Sequence, residues 1–209
     1  MIKHLPELQA SCISPSLRLG EFMRQVPVRE AAVLLHTARR IMVIGCSGSG
    51  KSTLSRRICA RFDLPYVSMD RDIFWLPGWV MRERSDIIAK VERYASGGAW
   101  VFDGNNCETM PSRLRRADLV LWLAPPRRVS LFGAMKRMAG SYGEVRADMA
   151  PGCPERFDFA FLRYIWNFNE QTAPKMERMI NLDGARVPVC VLKSRREMNE
   201  LLALSGVGH

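Results

Sequence analysis

The sequence lacks several features that mark large classes of proteins. Its longest unbroken apolar run, Leu119 to Ala124, is far shorter than the roughly 20 residues of a membrane-spanning helix, so no membrane span is expected. The six cysteines include no CxxC pair and only three histidines are present, which argues against a structural zinc site. No signal-peptide pattern opens the chain. We therefore expect a cytoplasmic protein with free thiols.

Basic residues are in excess. The chain of 209 residues carries 31 basic and 21 acidic side chains, a net charge of +10. Arginine supplies most of the positive charge, and the excess is strongest between Arg113 and Arg146. Arginine favours bidentate phosphate contacts, so a nucleotide or a nucleic acid is the expected partner. A genome that favours arginine codons would explain part of the excess equally well.

The hydrophobic pattern changes after the first 38 residues. We interpret residues 1–38 as an N-terminal extension with a helix over 28–40, and residues 39–209 as one domain. Strands are predicted at 41–44, 66–69, 100–102, 119–123 and 187–192. Further helices are predicted at 52–62, 84–95, 129–138, 157–168, 174–180 and 195–204. Strands alternating with helices predict an α/β three-layer sandwich around a five-stranded parallel sheet.

The strongest motif lies between the first strand and the next helix. It reads GCSGSGKS and fits GxxxxGK[ST] at every fixed position. Its members are Gly45, Cys46, Ser47, Gly48, Ser49, Gly50, Lys51 and Ser52. Glycines let the backbone N–H groups surround phosphate oxygens, and the helix N-terminus adds its positive end. In this motif the lysine contacts the β- and γ-phosphates of ATP, and the Ser52 hydroxyl is a ligand of Mg²⁺.

Acidic residues follow two predicted strands. Asp70 and Asp72 come after the second strand, and Asp103 ends the third. The carboxyl ends of parallel strands are where ligands bind in α/β sheets. Asp70 or Asp72 would accept a substrate hydroxyl proton or help to hold Mg²⁺. The alternative is that Asp70 caps the next element and Asp72 is exposed to solvent. Asp103 would hold Mg²⁺ indirectly.

Two absences narrow the class of nucleotide-binding protein. No glutamate follows Asp103, which argues against motor-type and transporter-type ATPases. No NKxD or LSGGQ motif is present, which counts against a GTPase and against a transporter ATPase. A kinase remains the best match to the motifs.

An insert of about residues 139–157 has no clear periodicity and is hinged by glycine and proline. Arg137 precedes it, Arg146 lies within it and Arg156 lies at its end. Such a segment suits a lid that excludes water and brings arginines to a transferring phosphoryl group, or else a plain surface loop. The aromatic residues from Phe74 to Trp79 would stack on a base or sugar, or belong to the core.

Several segments resemble the P-loop kinases, in particular the nucleoside monophosphate kinase and shikimate kinase branch. Within it the chain is most similar to the adenylate-kinase-related DNA topology modulation proteins (FlaR-type). The segments are IGCSGSGKST, DIFWLPGW, WVFDGN, RADMAPGCPER and LKSRRE. They cover about residues 40–204.

The resemblance implies a P-loop NTPase fold of the nucleoside monophosphate kinase type with a lid. It implies ATP binding over Gly45 to Thr53 and an adenine-side contact near Ser194 and Arg195. It also implies lid arginines at Arg137 and Arg146, with Arg156 as a further candidate.

The sequence leaves three functions open. The first is ATP- and Mg²⁺-dependent phosphoryl transfer to a small molecule, such as a nucleotide or nucleoside. In it Lys51, Arg137 and Arg146 would neutralise the phosphoryl group. The second is a nucleotide-dependent DNA-binding or DNA-topology regulator with little catalysis, which the basic charge favours although no DNA-binding motif is visible. The third is a simple ATPase.

Overall fold

The computed structural model describes residues 23–206. The strands are β1 (Arg40–Gly45), β2 (Tyr66–Ser68), β3 (Trp75–Leu76), β4 (Val80–Met81), β5 (Trp100–Asp103), β6 (Leu119–Leu123) and β7 (Val189–Leu192). The α-helices are α1 (Val28–Leu34), α2 (Lys51–Phe62), α3 (Arg84–Ala95), α4 (Met110–Leu114), α5 (Arg127–Gly140), α6 (Phe159–Gln171), α7 (Ala173–Asp183) and α8 (Arg195–Leu204). Within the described part of the chain, no helix combines the length and apolar character needed to cross a membrane.

Five strands form the central sheet in the order β2-β5-β1-β6-β7, and all of their pairings are parallel. The predicted α/β fold with a five-stranded parallel sheet is therefore confirmed. Asp103 at the end of β5 lies opposite Val43 of β1 and Ser68 of β2. This register brings the ends of these three strands, and the loops that follow them, to one side of the sheet.

Both faces of the sheet are covered. On β1, Ile41 and Val43 pack into one apolar cluster with α1, α2 and α8. Met42 and Ile44 pack into a second cluster, whose members come from α3 to α7. Strand residues alternate between the faces, so the continuous apolar run of β1 fits a strand buried on both sides. The result is the three-layer sandwich that the sequence predicts.

The segment after β2 differs from the prediction. The predicted strand over 66–69 ends at Ser68, and a π-helix runs over Met69–Phe74. Ser68 caps this helix, because its hydroxyl accepts a hydrogen bond from the Arg71 N–H at 3.1 Å. The two-stranded antiparallel hairpin of β3 and β4, which the sequence analysis did not predict, follows directly.

The predicted helix over 28–40 is shorter in the structure and ends at Leu34. The segment before it runs beside β7, where the Val26 N–H donates to the Val189 carbonyl at 3.0 Å and the Val189 N–H donates to the Arg24 carbonyl at 2.8 Å. Ala31 and Leu35 are fully buried against the sheet. Residues 23–38 thus pack on the sheet, while residues 1–22 lie outside the described residues. The division at residue 38 remains a prediction.

Candidate active site

The glycine-rich loop occupies the turn from β1 into α2. Gly45, Gly48 and Gly50 have φ values of 138°, 79° and 102°, a region that side chains with a Cβ rarely adopt. Helix α2 begins at Lys51 with no side-chain cap. Its first N–H groups are therefore available to an external acceptor, and a phosphate group is the acceptor that such a loop fits.

Lys51 folds back over the loop. Its Nζ donates a hydrogen bond to the Cys46 carbonyl at 2.8 Å. Burial lowers the pKa of the Lys51 amine, and the carboxylates of Asp103 and Asp70 act in the opposite direction. Ser49 is buried, and among the described residues its hydroxyl has no hydrogen-bond partner. The interior of the loop therefore holds one cation and polar groups that a phosphate would satisfy.

The loop is packed tightly against helix α5. A Cβ on Gly133 would lie 2.3 Å from the Gly48 carbonyl oxygen, and a Cβ on Gly48 would lie 2.1 Å from the Ser130 carbonyl oxygen. In both cases the nearest atom is a backbone oxygen, which cannot move aside as a side chain can, so a side chain at either glycine would force the loop and α5 apart. This contact brings the next turn of α5, with Arg137, beside the loop: Arg137 Nη1 lies 3.5 Å from Ser47 Oγ.

The start of the loop is also fixed to the end of β5. The Asn105 side-chain oxygen accepts a hydrogen bond from the Gly45 N–H at 2.9 Å, and its amide nitrogen donates to the Gly45 carbonyl at 2.7 Å. One amide side chain thereby satisfies both backbone groups of Gly45. The sequence analysis assigned no role to Asn105.

Asp103 lies in the cleft beside this loop and is 5% exposed. Its Oδ2 accepts a hydrogen bond from the Tyr66 hydroxyl at 2.7 Å. Burial raises the pKa of the Asp103 carboxyl, whereas Lys51 and the hydroxyls of Ser52 and Tyr66 favour its ionised form. Among the described residues Oδ1 has no hydrogen-bond partner. A buried carboxylate oxygen of this kind, next to the Ser52 hydroxyl, fits Mg²⁺ or a water molecule bound to it.

Asp70 shares the cleft. Gly104, at a φ of 124°, allows the end of β5 to approach Met69, since a Cβ there would lie 2.8 Å from the Met69 Cβ. The close approach brings Asp70 near Asp103. The Asp70 side chain is open to solvent, but the protein around it raises the pKa of its carboxyl, and the charge of Asp103 raises it further. Lys51 and Arg146 act in the opposite direction.

Asp72 is engaged elsewhere. Its Oδ2 accepts a hydrogen bond from the Ser68 N–H at 2.8 Å, and its Oδ1 lies 2.8 Å from Arg71 Nε. Arg71 in turn lies over the ring of Tyr66, 5.2 Å from its centroid. These contacts stabilise the turn after β2. Of the two aspartates, Asp70 is therefore the one that lies near Lys51, Asp103 and Arg146.

The predicted insert lies between α5 and α6, and three of its charged side chains pair with one another or with Arg137 of α5. Arg146 Nη1 donates to Asp148 Oδ2 at 2.9 Å, and Arg146 Nε lies 2.7 Å from Glu155 Oε2. The same Glu155 oxygen lies 3.2 Å from Arg137 Nε. Burial alone would raise the pKa of Asp148, but Arg146 and the Ser52 hydroxyl outweigh it and lower that pKa.

The insert is joined to the hairpin of β3 and β4. The Gly78 N–H donates to the Gly152 carbonyl at 2.9 Å, and the Trp79 indole N–H donates to the Pro154 carbonyl at 3.2 Å. Trp75 and Trp79 pack on the buried residues Met149, Ala150 and Cys153. Of the two roles considered for these aromatic residues, the structure shows packing between the hairpin and the insert.

A small pocket lies on the other side of the loop. It is lined by Ser49, Leu123, Pro125, Leu192, Ser194, Arg195 and Met198. Ser194 also caps α8, since its hydroxyl accepts a hydrogen bond from the Glu197 N–H at 3.2 Å. The family resemblance implies that Ser194 and Arg195 contact the adenine base of ATP. Both residues line this pocket with Ser49 and so lie next to the glycine-rich loop.

The structure brings most of the predicted site residues together. Six of them lie near one another on the side of the sheet where β1, β2 and β5 end: Lys51, Ser52, Asp70, Asp103, Arg137 and Arg146. Thr53 is exposed in the first turn of α2, and Asp72 is turned away.

Sequence reasoning missed Tyr66, Asn105, Asp148 and Glu155. For Asp148 and Glu155 the available signal was the mixture of basic and acidic residues from Arg146 to Glu155.

No protein-family model matches the sequence, and no curated protein sequence matches it. Two solved structures to which the chain is similar are shikimate kinase from Acinetobacter baumannii in complex with shikimate and deoxyadenosine kinase from M. mycoides with bound dCTP. The first is 14% identical with a TM-score of 0.49, over 83% of this chain and 96% of that one. The second is 10% identical with a TM-score of 0.38, over 78% of this chain and 96% of that one. The function of the chain is therefore inferred from its own residues.

Proposed function

We propose that the protein is a kinase that transfers the terminal phosphoryl group of ATP, with Mg²⁺, to a hydroxyl group of a small molecule such as a nucleoside or nucleotide. The proposal depends on one observation. Lys51, Asp70, Asp103 and two arginines lie together beside the glycine-rich loop, where helix α2 begins without a side-chain cap. Phosphoryl transfer needs positioning and charge neutralisation, and these residue types supply both.

ATP would bind with its phosphates in the loop over Gly45–Thr53 and its base on the side of Ser194 and Arg195. Two features support the phosphate site: the N-terminus of α2 has no side-chain cap and the Ser49 hydroxyl has no hydrogen-bond partner within residues 23–206. Lys51 would exchange its hydrogen bond with the Cys46 carbonyl for one with a phosphate oxygen. The mostly apolar pocket beside Met198 suits the face of a base.

Ser52 and Asp103 would hold Mg²⁺, Asp103 through water. The ion would supply positive charge that offsets the charge of the phosphates. The Tyr66 hydroxyl donates to Oδ2 of Asp103 and so orients the carboxylate. The other oxygen, Oδ1, has no partner within residues 23–206 and would face the ion. A hydrogen bond behind a metal-facing carboxylate orients it, which is a common role for residues around metal sites.

Asp70 would accept the proton of the acceptor hydroxyl. Its pKa is raised by the surrounding protein and by Asp103, which makes it a better base than an ordinary aspartate. Its carboxylate is open to the cleft, as an acceptor requires. Arg137 and Arg146 would bind the phosphoryl group during transfer, and the insert would exclude water, which favours the acceptor over hydrolysis.

The test is ATP consumption with Mg²⁺ against nucleosides, nucleoside monophosphates, sugars and small hydroxy acids, each compared with a reaction without acceptor. One class should stimulate consumption well above that control. Lys51→Ala should reduce the stimulated rate by at least about 100-fold with the fold retained. Lys175→Ala, which removes an exposed lysine of α7, is the matched control and should leave the rate unchanged.

A stimulated rate retained in Lys51→Ala would refute the kinase proposal. A flat panel with clear ATP binding would favour the DNA-binding alternative, for which the net charge of +10 is the supporting observation. Titration of duplex DNA at two salt concentrations would then separate specific from purely electrostatic binding.

A further inference from the structure

Glu155 is a buried carboxylate between two arginines of different elements. Its side chain is 6% exposed, and its Oε2 lies 2.7 Å from Arg146 Nε and 3.2 Å from Arg137 Nε. Its own backbone is held on both sides: the Glu155 N–H donates to the Glu144 carbonyl at 2.8 Å, and its carbonyl accepts from the Gly143 N–H at 2.9 Å. Glu155 is therefore a fixed point in the insert.

Without Glu155 the two guanidinium groups would repel each other. Burial lowers the pKa of Arg137 and the charge of Arg146 lowers it further, whereas Glu155 favours the charged form. The carboxylate offsets this repulsion and allows an arginine of α5 and an arginine of the insert to lie side by side.

The contact atoms determine which part of each arginine remains for a ligand. Glu155 Oε2 lies within ion-pair distance of Nε of both arginines, although among residues 23–206 neither Glu155 Oε2 nor Arg137 Nε makes a hydrogen bond. The terminal nitrogens point elsewhere: Arg137 Nη1 lies 3.5 Å from Ser47 Oγ in the phosphate-binding loop, and Arg146 Nη1 donates to Asp148 at the Ser52 side of the cleft. A carboxylate that attracts the Nε side of a planar guanidinium leaves the two terminal nitrogens for other contacts.

We propose that Glu155 is a positioning residue for phosphoryl transfer, which holds Arg137 and Arg146 side by side, with a terminal N–H group of Arg137 facing the phosphate-binding loop and one of Arg146 paired with Asp148. This inference rests on the proposed function and extends it to a residue that contacts neither ATP nor the acceptor. Two arginines from separate elements then act on the same phosphate group, and the position of the insert sets the position of both.

A carboxylate that merely balances charge would behave differently. Its removal would make the cleft more positive and would tighten the binding of a polyanion. Removal of a positioning carboxylate would weaken that binding, because the two arginines separate or turn away, even though the net charge becomes more positive. The two roles therefore predict opposite signs for one measurement.

The experiment is titration calorimetry of the full chain with inorganic tripolyphosphate and with ATP, for the wild type and Glu155→Gln. We expect the dissociation constant of tripolyphosphate to rise about tenfold and kcat to fall by at least as much with the best acceptor, with a smaller change in the KM for ATP. Glu144→Gln is the control: this exposed carboxylate of the same insert carries the same charge change, and its variant should bind tripolyphosphate like the wild type or slightly more tightly.

Glu155→Asp keeps the charge and shortens the side chain by one methylene group. A positioning role predicts binding several-fold weaker than in the wild type, and this variant decides the question if Glu155→Gln does not fold. Tighter or unchanged tripolyphosphate binding in a folded Glu155→Gln, or wild-type binding in Glu155→Asp, would overturn the inference.

Failure of the proposed function gives a different result. If the wild type binds tripolyphosphate and shows no acceptor-stimulated turnover, the kinase proposal fails, while the sign of the Glu155→Gln effect on binding still tests the positioning of the arginines. If the wild type binds neither tripolyphosphate nor ATP, both proposals are refuted.

Discussion

The hydroxyl group of Tyr66 donates a hydrogen bond of 2.7 Å to Oδ2 of Asp103. Burial, and the charge of Asp103 after it, raise the pKa of the Tyr66 phenol, so Tyr66 keeps its proton at neutral pH and remains the donor. The bond joins the first residue of β2 to the last residue of the neighbouring strand β5. It leaves Oδ1 as the oxygen that is free to face a cation.

Tyr66→Phe removes this bond and keeps the ring. We expect the Mg²⁺ concentration for half-maximal ATP consumption to rise about tenfold, because the carboxylate loses the contact that orients it. Tyr142→Phe is the control, since Tyr142 is an exposed tyrosine of the insert. An unchanged Mg²⁺ dependence in Tyr66→Phe would contradict the proposal that an oriented Asp103 carboxylate helps to bind Mg²⁺.

Gly133→Ala tests the contact between α5 and the phosphate-binding loop. The added methyl group would lie 2.3 Å from the Gly48 carbonyl oxygen, so helix and loop must separate. We expect a loss of about 2 kcal/mol in the free energy of unfolding and weaker ATP binding. Gly140→Ala in the same helix meets no atom within 4 Å and should be neutral or stabilising by up to about 1 kcal/mol. Equal effects of the two substitutions in urea unfolding would contradict this contact.

Asn105→Ala removes two hydrogen bonds to the backbone of Gly45. The free energy of unfolding should fall by about 1 to 3 kcal/mol, since Gly45 is buried and its N–H and carbonyl groups would lose their partner. ATP affinity should fall as well, because the first residue of the loop loses its anchor to β5. Asn199→Ala, at an exposed site in α8, is the control for both measurements. If ATP binding is unchanged in Asn105→Ala, the hydrogen bonds between Asn105 and Gly45 are not needed for the loop to bind ATP.

Asp118 provides a pH-dependent test of stability. Burial would raise the pKa of its carboxyl, but hydrogen bonds from the Arg40 side chain and from the N–H groups of Arg39 and Arg40 outweigh it and lower the pKa. A carboxyl with a lowered pKa in the folded state stabilises the protein above its unfolded pKa of about 4 and loses this effect as the pH falls below it.

Asp118→Asn should therefore cost about 1 kcal/mol in the free energy of unfolding at pH 7, and the difference from the wild type should shrink as the pH falls below about 4. Urea unfolding at pH 7, 5 and 3.5 would measure it. A difference that stays constant across this range would mean that the charge of Asp118 adds nothing to the hydrogen bonds.

The sequence predicted the sheet well because its strands carry strong local signals. Ile41 to Ile44 and Leu119 to Leu123 are apolar throughout, and strands buried on both faces require such runs. The hairpin strands have two residues each, which is too short for any periodicity to show. The π-helix over Met69–Phe74 depends on the Ser68 cap and on the close approach of Gly104, neither of which sequence spacing reports.

The site was predicted to the extent that its residues follow strands or belong to a known motif. Asp70 and Asp72 stand in equivalent positions in the sequence, and only the contact of Asp72 with the Ser68 N–H separates them. Glu155 was missed because its partners lie on another helix and elsewhere in the insert, so its role depends on tertiary contacts. The roles of all these residues remain predictions until the variants above are measured.

The backbone pairing of residues 24–26 with Val189 has a consequence for any shortened form of the protein. β7 is the outermost strand on its side of the sheet, and this pairing covers the backbone groups of Val189 that would otherwise face outward. A chain trimmed to residues 39–209 would expose an unprotected strand edge to other molecules, and exposed edges promote aggregation. We expect such a trimmed chain to self-associate at concentrations where the full chain does not, which light scattering would detect.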